Sequence, residues 1–373
     1  MANPLVELQT LGQSVWHDNI RRDLLTSGAL QRMVAEGEIT GLTSNPTIFE
    51  QAISKSTDYD EDLRSFARKG KSAEDIFWRL AIDDIYNAAD VFRPVFERTG
   101  GNDGYVSIEV APKFAHDTEA TIREAHRLWD AVKRPNLMIK IPATAEGIPA
   151  VEQCIFDGLN INVTLIFALK RYDAVMNAHL SGLVKRMEAG KPVDGIASVA
   201  SFFVSRVDTL VDKLLNEKIA TAGPETRVHL EALKGKAAIA NAKLAYAEFR
   251  KKFSTETYAA LGNRGARKQR PLWASTSTKN PAYSDVYYIE SLIGAETVDT
   301  MPPQTIDAYR DHGQPEPRLE NGFPQARWTI EELARVGIDM GAVTSKLETD
   351  GVAAFAQSFD SLIAVVEQRR LTI

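Results

Sequence analysis

The chain has 373 residues, 44% of them apolar, and its 44 Lys and Arg against 50 Asp and Glu leave a formal charge of −6. That length suits one large α/β barrel or two small domains, and an acidic body without a basic run argues against nucleic acid, whose binding rests on cations neutralising phosphates. The single cysteine, Cys154, excludes an intrachain disulfide and fits a reducing cytoplasm. Residues 1–12 carry no basic-then-apolar signal pattern and no apolar run approaches the ~20 residues of a membrane span, so a soluble, cytoplasmic protein is expected.

Short β-branched or apolar runs alternate with longer stretches that have apolar residues at helical spacing. Strands are expected over 15–18, 39–44, 105–110, 136–142, 160–167, 197–204, 271–276 and 296–301. Among the intervening helical patterns are Ile122, Ala125, Leu128, Trp129 and Val132, and Val207, Leu210, Val211, Leu214 and Leu215. Strand followed by helix, repeated about eight times, implies parallel pairing with helical crossovers. The expected architecture is therefore an α/β (β/α)₈ TIM barrel with additional helices, one domain over 1–373. A doubly wound open sheet is the rival, but no G-x-G-x-x-G turn follows the first strand.

The 222–265 segment is helix-rich and charged and reads as a helical elaboration on the barrel, while 312–324 reads as a loop from its Gly and Pro. Over 339–370, the spacing of Val343, Leu347, Val352, Phe355, Phe359, Leu362, Ile363 and Val366 predicts an amphipathic helix packed across the barrel, with a break at Gly351.

Alternate residues of a strand face opposite sides. In the run over 105–110, Val106, Ile108 and Val110 oppose Tyr105, Ser107 and Glu109; in the next, Leu137, Ile139 and Ile141 oppose Met138 and Lys140. Over 160–167, Ile161, Val163 and Leu165 oppose Asn162 and Thr164. Parallel strands covered on both faces should read as nearly unbroken apolar runs. A second face with polar groups must look into something hydrated or reactive, which in a barrel is the C-terminal mouth.

Lys140, between Ile139 and Ile141, is the leading candidate. A lysine there needs a partner or a purpose, and a free amine is a nucleophile towards carbonyls. The plainer alternative is a lysine that snorkels from the strand end or pairs with Glu109. Asp18 either caps a helix over 19–25 or acts at the mouth, and Asn45-Pro46 has the form of a helix cap followed by a first-position proline. Glu109 can be an ion-pair partner of Lys140, and Thr164 can be ordinary strand material. Arg206 opens a helix, where a cation opposes the dipole and a bound anion would be welcome; pairing with Asp208 or Asp212 is the alternative. Lys279-Asn280-Pro281 repeats the pattern of cation, cap and proline after the seventh strand, near where phosphates bind in such barrels. The six histidines show no H-x-x-x-H spacing, and no metal is expected.

Seven segments resemble the transaldolase family, in its order. They are Val15-Trp16-His17-Asp18, Gly41-Leu42-Thr43-Ser44-Asn45-Pro46, Val106-Ser107-Ile108-Glu109-Val110 and Leu137-Met138-Ile139-Lys140-Ile141-Pro142, then Asn160-Ile161-Asn162-Val163-Thr164-Leu165-Ile166-Phe167, Ser201-Phe202-Phe203-Val204-Ser205-Arg206 and Ser275-Thr276-Ser277-Thr278-Lys279-Asn280-Pro281. The resemblance covers 15–281 and is closest to a longer bacterial subgroup.

The resemblance implies a Schiff base on Lys140, with Asp18 as acid/base beside the bond that breaks. Glu109, with a water held by Thr164, would move protons during imine formation. Asn45 and Asn162 would bind hydroxyls; Ser201, Arg206 and Ser277 would hold the substrate and its phosphate. Phe203 stands where transaldolases carry phenylalanine and the short fructose-6-phosphate aldolases carry tyrosine. Lys279 departs from the arginine of many members and lacks its bidentate fork. The implied activity transfers a dihydroxyacetone unit from sedoheptulose 7-phosphate to glyceraldehyde 3-phosphate, without cofactor, in a monomer or homodimer; a fructose-6-phosphate aldolase-like lyase is the alternative.

Overall fold

The computed structural model describes residues 3–372; Met1, Ala2 and Ile373, the ends of the expected domain span, lie outside them. Eight strands form the barrel: β1 (Gln13–Asp18), β2 (Gly41–Thr43), β3 (Val106–Glu109), β4 (Leu137–Pro142), β5 (Ile161–Ile166), β6 (Ser198–Phe203), β7 (Arg270–Ala274) and β8 (Thr297–Met301). All neighbours are parallel, in sequence order, and β8 pairs with β1 to close the sheet. This is the (β/α)₈ barrel expected from the alternation of strand and helix. Residues 39–44 yield only a three-residue strand, because Ser44 and Asn45 turn out of the ladder to start the helix Pro46–Ser54.

Closure brings backbones close where side chains must also fit. A Cβ added at Gly41 would lie 2.5 Å from the Trp16 indole, so β2 can pass β1 only with glycine there. The N-terminal end of the barrel is plugged by polar groups: the Trp16 indole donates to Asp103 at 2.8 Å, and Arg270 donates to Ser14 Oγ at 2.8 Å. That leaves the opposite mouth as the open end.

The 222–265 elaboration consists of the helices Pro224–Leu233, Ala237–Lys252 and Glu256–Gly262. It is tied to the barrel by two backbone N–H groups and one side-chain amide. Gly235 N and Ala238 N donate to Asp212 (2.9 Å) and Asp208 (2.7 Å) of the helix Ser205–Ile219, and Asn241 Nδ2 donates to the Phe167 carbonyl at 2.8 Å.

Two expectations are corrected. The C-terminal helix runs unbroken over Met340–Thr372, so Gly351 does not interrupt it. Its missing side chain serves close packing instead: a Cβ there would sit 3.0 Å from Leu165 Cδ2. Leu165 itself has φ 60°, and the β5–β6 register shifts between Val163 and Ile166, so the strict alternation expected along 160–167 ends at Thr164. A leucine in the left-handed region is strained, and such strain collects beside working sites.

Replacing Gly351 with valine should therefore push the C-terminal helix off β5. The expected cost is about 1–3 kcal/mol of overpacking, read as a lowered Tm; a wild-type melting curve would show that the helix has room there.

Candidate active site

Each strand of the mouth contributes by register. Glu109, Lys140 and Asn162 are successive partners across β3, β4 and β5, so the parity that turns one inward turns all three inward. Lys140 is 5% exposed. Its Nζ donates to the Ser44 carbonyl at 3.1 Å and lies 3.4 Å from Glu109 Oε2. The Phe355 ring, on the C-terminal helix, has its centroid 5.8 Å from the same nitrogen. The amine is thus held between an oxygen from the chain after β2, a carboxylate and an aromatic face.

Asp18 ends β1 and accepts from Thr43 Oγ1 at 2.7 Å; Thr43 in turn meets Thr300 Oγ1 at 2.5 Å. It does not cap the helix that follows, whose N-cap is Arg21. Burial in the mouth pushes the Asp18 carboxyl above the usual carboxylate range, against the opposing pull of Lys140, the Thr43 hydroxyl, Arg206 and Lys279. Glu109 is raised as well, chiefly by burial, with Lys140 opposing. The mouth therefore holds two carboxyls that keep their protons more readily than in water, both within the field of one amine.

A cavity of about 870 Å³ opens above these groups. It is lined by Lys140, Asp18, Thr164, Asn45, Ser201, Phe203, Arg206, Ser277 and Lys279, nine of the eleven residues singled out from the sequence. Glu109 and Asn162 are the exceptions. Glu109 sits behind Lys140, facing a pocket of about 10 Å³ bounded also by Phe77, Trp78 and Phe359. Asn162 is fully buried below the cavity, donating to Ser107 Oγ at 3.1 Å and accepting from Ser201 Oγ at 2.7 Å. Its carbonyl and amide are engaged within the barrel, with Ser201 between Asn162 and the open space.

Thr164 is wholly buried and its hydroxyl has no partner among the described residues. A buried hydroxyl without a partner calls for an explanation, and this one borders the cavity beside Lys140. Asn45 combines both readings: its Oδ1 caps the helix Pro46–Ser54 by accepting from Ile48 N at 3.0 Å, while the side chain also borders the cavity.

Arg206 makes no ion pair among the described residues. Asp208 and Asp212 are engaged elsewhere, accepting from Tyr288 Oη (3.0 Å) and Tyr283 Oη (2.7 Å) besides the backbone groups already named. The guanidinium stands 5.3 Å over the Phe203 ring and faces the cavity. Lys279 donates to Ser277 Oγ at 2.7 Å. Asn280 and Pro281 do not start a helix as expected; Asn280 caps a turn by accepting from Ala282 N at 3.0 Å, and the next helix begins at Tyr287. The turn keeps Lys279 at the rim.

Several residues at the cavity were not singled out from the sequence. Phe355 was read only as one apolar residue of an amphipathic helix, and nothing local tells that its turn of helix crosses the mouth. Thr43 and Thr300 read as strand material. Arg21, Lys55, Asp307 and Arg310 border the outer part of the cavity; Arg310 is engaged with Glu38 at 2.7 Å.

A buried amine at the C-terminal mouth of a parallel barrel, flanked by two carboxyls and overlooked by cations without ion-pair partners among the described residues, is the arrangement of a (β/α)₈ barrel enzyme. Comparison with known proteins narrows that class. The family model for transaldolase/fructose-6-phosphate aldolase matches residues 15–366. A transaldolase of Trichodesmium erythraeum is 46% identical over 99% of this chain and 98% of its own length. Transaldolases of Acidothermus cellulolyticus and Thermobifida fusca are each 48% identical, over 98% and 99% of this chain and 96% and 99% of their own. The chain belongs to the transaldolase/fructose-6-phosphate aldolase family and is an enzyme of the transferase type. No helix among the described residues is long and apolar enough to cross a membrane.

The raised Asp18 carboxyl has a consequence for stability. Just above the ordinary carboxylate value of about 4, the folded chain binds more of this proton than the unfolded chain does, so the contribution of Asp18 to stability falls as pH rises through that range. Asp18→Asn keeps an oxygen for Thr43 and should match or exceed wild-type Tm at pH 7, with a weaker decline between pH 4 and 7. A variant less stable than wild type at pH 7 would mean that the ionised carboxylate is favoured in the mouth.

Proposed function

We propose that this enzyme is a transaldolase of the non-oxidative pentose phosphate pathway, moving a dihydroxyacetone unit from sedoheptulose 7-phosphate to glyceraldehyde 3-phosphate through an imine on Lys140. The observation that carries the reading is the Lys140 amine, buried in the mouth 3.4 Å from Glu109, on the wall of a cavity that Asp18 shares. Family membership and the full-length similarity to transaldolases support it.

Lys140 attacks the ketose carbonyl at C2 and forms a carbinolamine. Glu109, directly behind the amine, takes the proton released from nitrogen and returns it as water leaves. Thr164, with its free hydroxyl at the cavity wall, holds the water that completes the relay. Asp18 then removes the proton from the C4 hydroxyl, the C3–C4 bond breaks, and the electron pair moves into the iminium, which becomes an enamine. Erythrose 4-phosphate leaves. The enamine carbon attacks the incoming aldehyde, Asp18 returns its proton to the new hydroxyl, and hydrolysis of the imine releases fructose 6-phosphate.

Asn45 has an amide nitrogen to offer to substrate hydroxyls once Oδ1 is committed to the helix. Ser201 stands on the cavity wall, and Asn162 orients it from below. Arg206, Ser277 and Lys279 hold the phosphate at the rim, where charge-assisted bonds to an anion would satisfy a guanidinium that has no carboxylate partner among the described residues. The protein is proposed to work in the cytoplasm.

Borohydride reduction in the presence of fructose 6-phosphate should inactivate the enzyme and leave one three-carbon adduct, mapped to Lys140 by peptide mass spectrometry; Lys140→Ala should lose both adduct and activity, roughly 10³-fold or more. An adduct on another lysine, or none, would overturn the mechanism. Acceptor dependence is the second measurement. With Phe203 in place the three-carbon unit should be released from fructose 6-phosphate only slowly unless an aldehyde is supplied. Phe203→Tyr, which brings a hydroxyl and its water to the cavity wall, should raise release without acceptor relative to transfer. An unchanged ratio would remove Phe203 from the determination of transfer.

A further inference from the structure

Asp299 is a carboxyl with no exposure at all, on β8, turned away from the barrel interior. One oxygen accepts a hydrogen bond from Thr276 Oγ1 at 2.9 Å, and the other has no partner among the described residues. A buried carboxyl with a single hydrogen bond is costly, and here the bond reaches the loop that carries Ser277 and Lys279.

That loop is held on both sides. Ser275, at φ 56°, is in the left-handed region, a conformation that a serine keeps only when its surroundings over-determine it. Ser205 N donates to the Ser275 carbonyl at 3.0 Å, and the two hydroxyls lie 3.0 Å apart. Ser205 begins the helix whose next residue is Arg206. On the other side Thr276 is pinned to Asp299 and also approaches the Thr300 carbonyl at 3.4 Å. Four consecutive groups thus join the helix carrying Arg206, the loop carrying Ser277 and Lys279, and β8.

We propose that Asp299, acting through Thr276, is a positioning residue: it fixes the loop after β7 so that Ser277 and Lys279 meet a substrate phosphate in register with Arg206. This rests on the reading that those three residues hold the phosphate. Asp299 touches no substrate itself, and its removal should weaken recognition of phosphorylated substrates without weakening imine chemistry at Lys140. A displacement of about 1 Å in a binding group is enough for losses on the order of 10²-fold.

In a double-displacement reaction, kcat/KM for the acceptor reports only the second half-reaction, so acceptors with and without phosphate isolate the effect. The measurement compares glyceraldehyde 3-phosphate with glyceraldehyde at saturating sedoheptulose 7-phosphate, for Thr276→Val, Thr276→Ser, Asp299→Ala and Asp299→Asn, with Arg206→Gln as reference. Thr276→Val and Asp299→Ala should lose about 10-fold or more with the phosphorylated acceptor and less than about 2-fold with glyceraldehyde. Thr276→Ser and Asp299→Asn, which keep the donor and the acceptor, should retain the wild-type ratio. Equal losses on both acceptors, or none, overturn the proposal. If Arg206→Gln shifts the ratio and the Asp299 and Thr276 variants do not, the clamp falls while the phosphate reading stands; if Arg206→Gln leaves the ratio alone, the phosphate reading falls first and takes the clamp with it. Should Thr276→Val and Asp299→Ala both fail to fold, Ser205→Ala removes the hydroxyl on the other side of the loop and must show the same selective loss.

Discussion

A primary amine can sit inside a parallel barrel only if oxygen atoms meet it there, since an ammonium or amine stripped of water and given nothing in return is too costly to keep. Lys140 meets two such oxygens, the Ser44 carbonyl and the Glu109 carboxylate, from the strands or turns on its own side of the barrel. Much of the mouth follows from that requirement. The Ser44 carbonyl is available because the chain leaves the ladder after Thr43 to begin a helix under Asn45 and Pro46. Glu109 is available because it is the register partner of Lys140. Two ends of secondary structure and one carboxylate are thereby fixed relative to the nitrogen.

The cover over the amine is a separate element. The C-terminal helix lies against β5 at Gly351 and reaches Lys140 with Phe355 and the Glu109 pocket with Phe359. Its ends are tied down as well: Arg171 pairs with Glu348 at 3.1 Å, and Arg369 donates to the Ser56 carbonyl at 2.9 Å. An aromatic wall next to the amine keeps bulk water off the nitrogen on that side, and exclusion of water strengthens every electrostatic contact inside. For chemistry through an imine this matters twice, because water that reaches the intermediate ahead of an acceptor ends the transfer.

The barrel and its inward-facing polar residues were legible because both depend on local periodicity. Each strand expectation fell on an observed strand, and Glu109, Lys140, Asn162 and Thr164 turned inward as their parity required. What stayed hidden depends on partners distant in the chain. Asp18 reads equally as a helix cap until Thr43, on the neighbouring strand, is seen to claim its oxygen. Arg206 reads equally as paired with Asp208 or Asp212 until the 222–265 helices are seen to take those carboxylates. Gly351 reads as a helix break because glycine usually weakens helices, whereas its role is set by Leu165, 186 positions earlier in the chain. Asp299 and Thr276 read as strand-end material; their bond exists only once β7 and β8 lie side by side.

The same partnerships explain why the charges at the mouth can be used at all. A cation paired with a carboxylate has little left for a ligand, and the structure removes the nearest carboxylates from the cations that border the inner cavity. Asp208 and Asp212 instead accept from Ala238 N and Gly235 N of the 222–265 segment and from tyrosines, which leaves Arg206 over Phe203, facing the cavity. At the outer rim the arrangement is reversed: Arg310 is held by Glu38 and Asp307, and Arg21 by Asp23. Positive charge is therefore available on the β6–β7 side of the mouth and largely neutralised on the β1–β8 side. For the substrate proposed above, with its carbonyl at Lys140, this distribution of charge favours a phosphate towards Arg206, with Asp18 across the mouth in the proposed position to act on the hydroxyl in between.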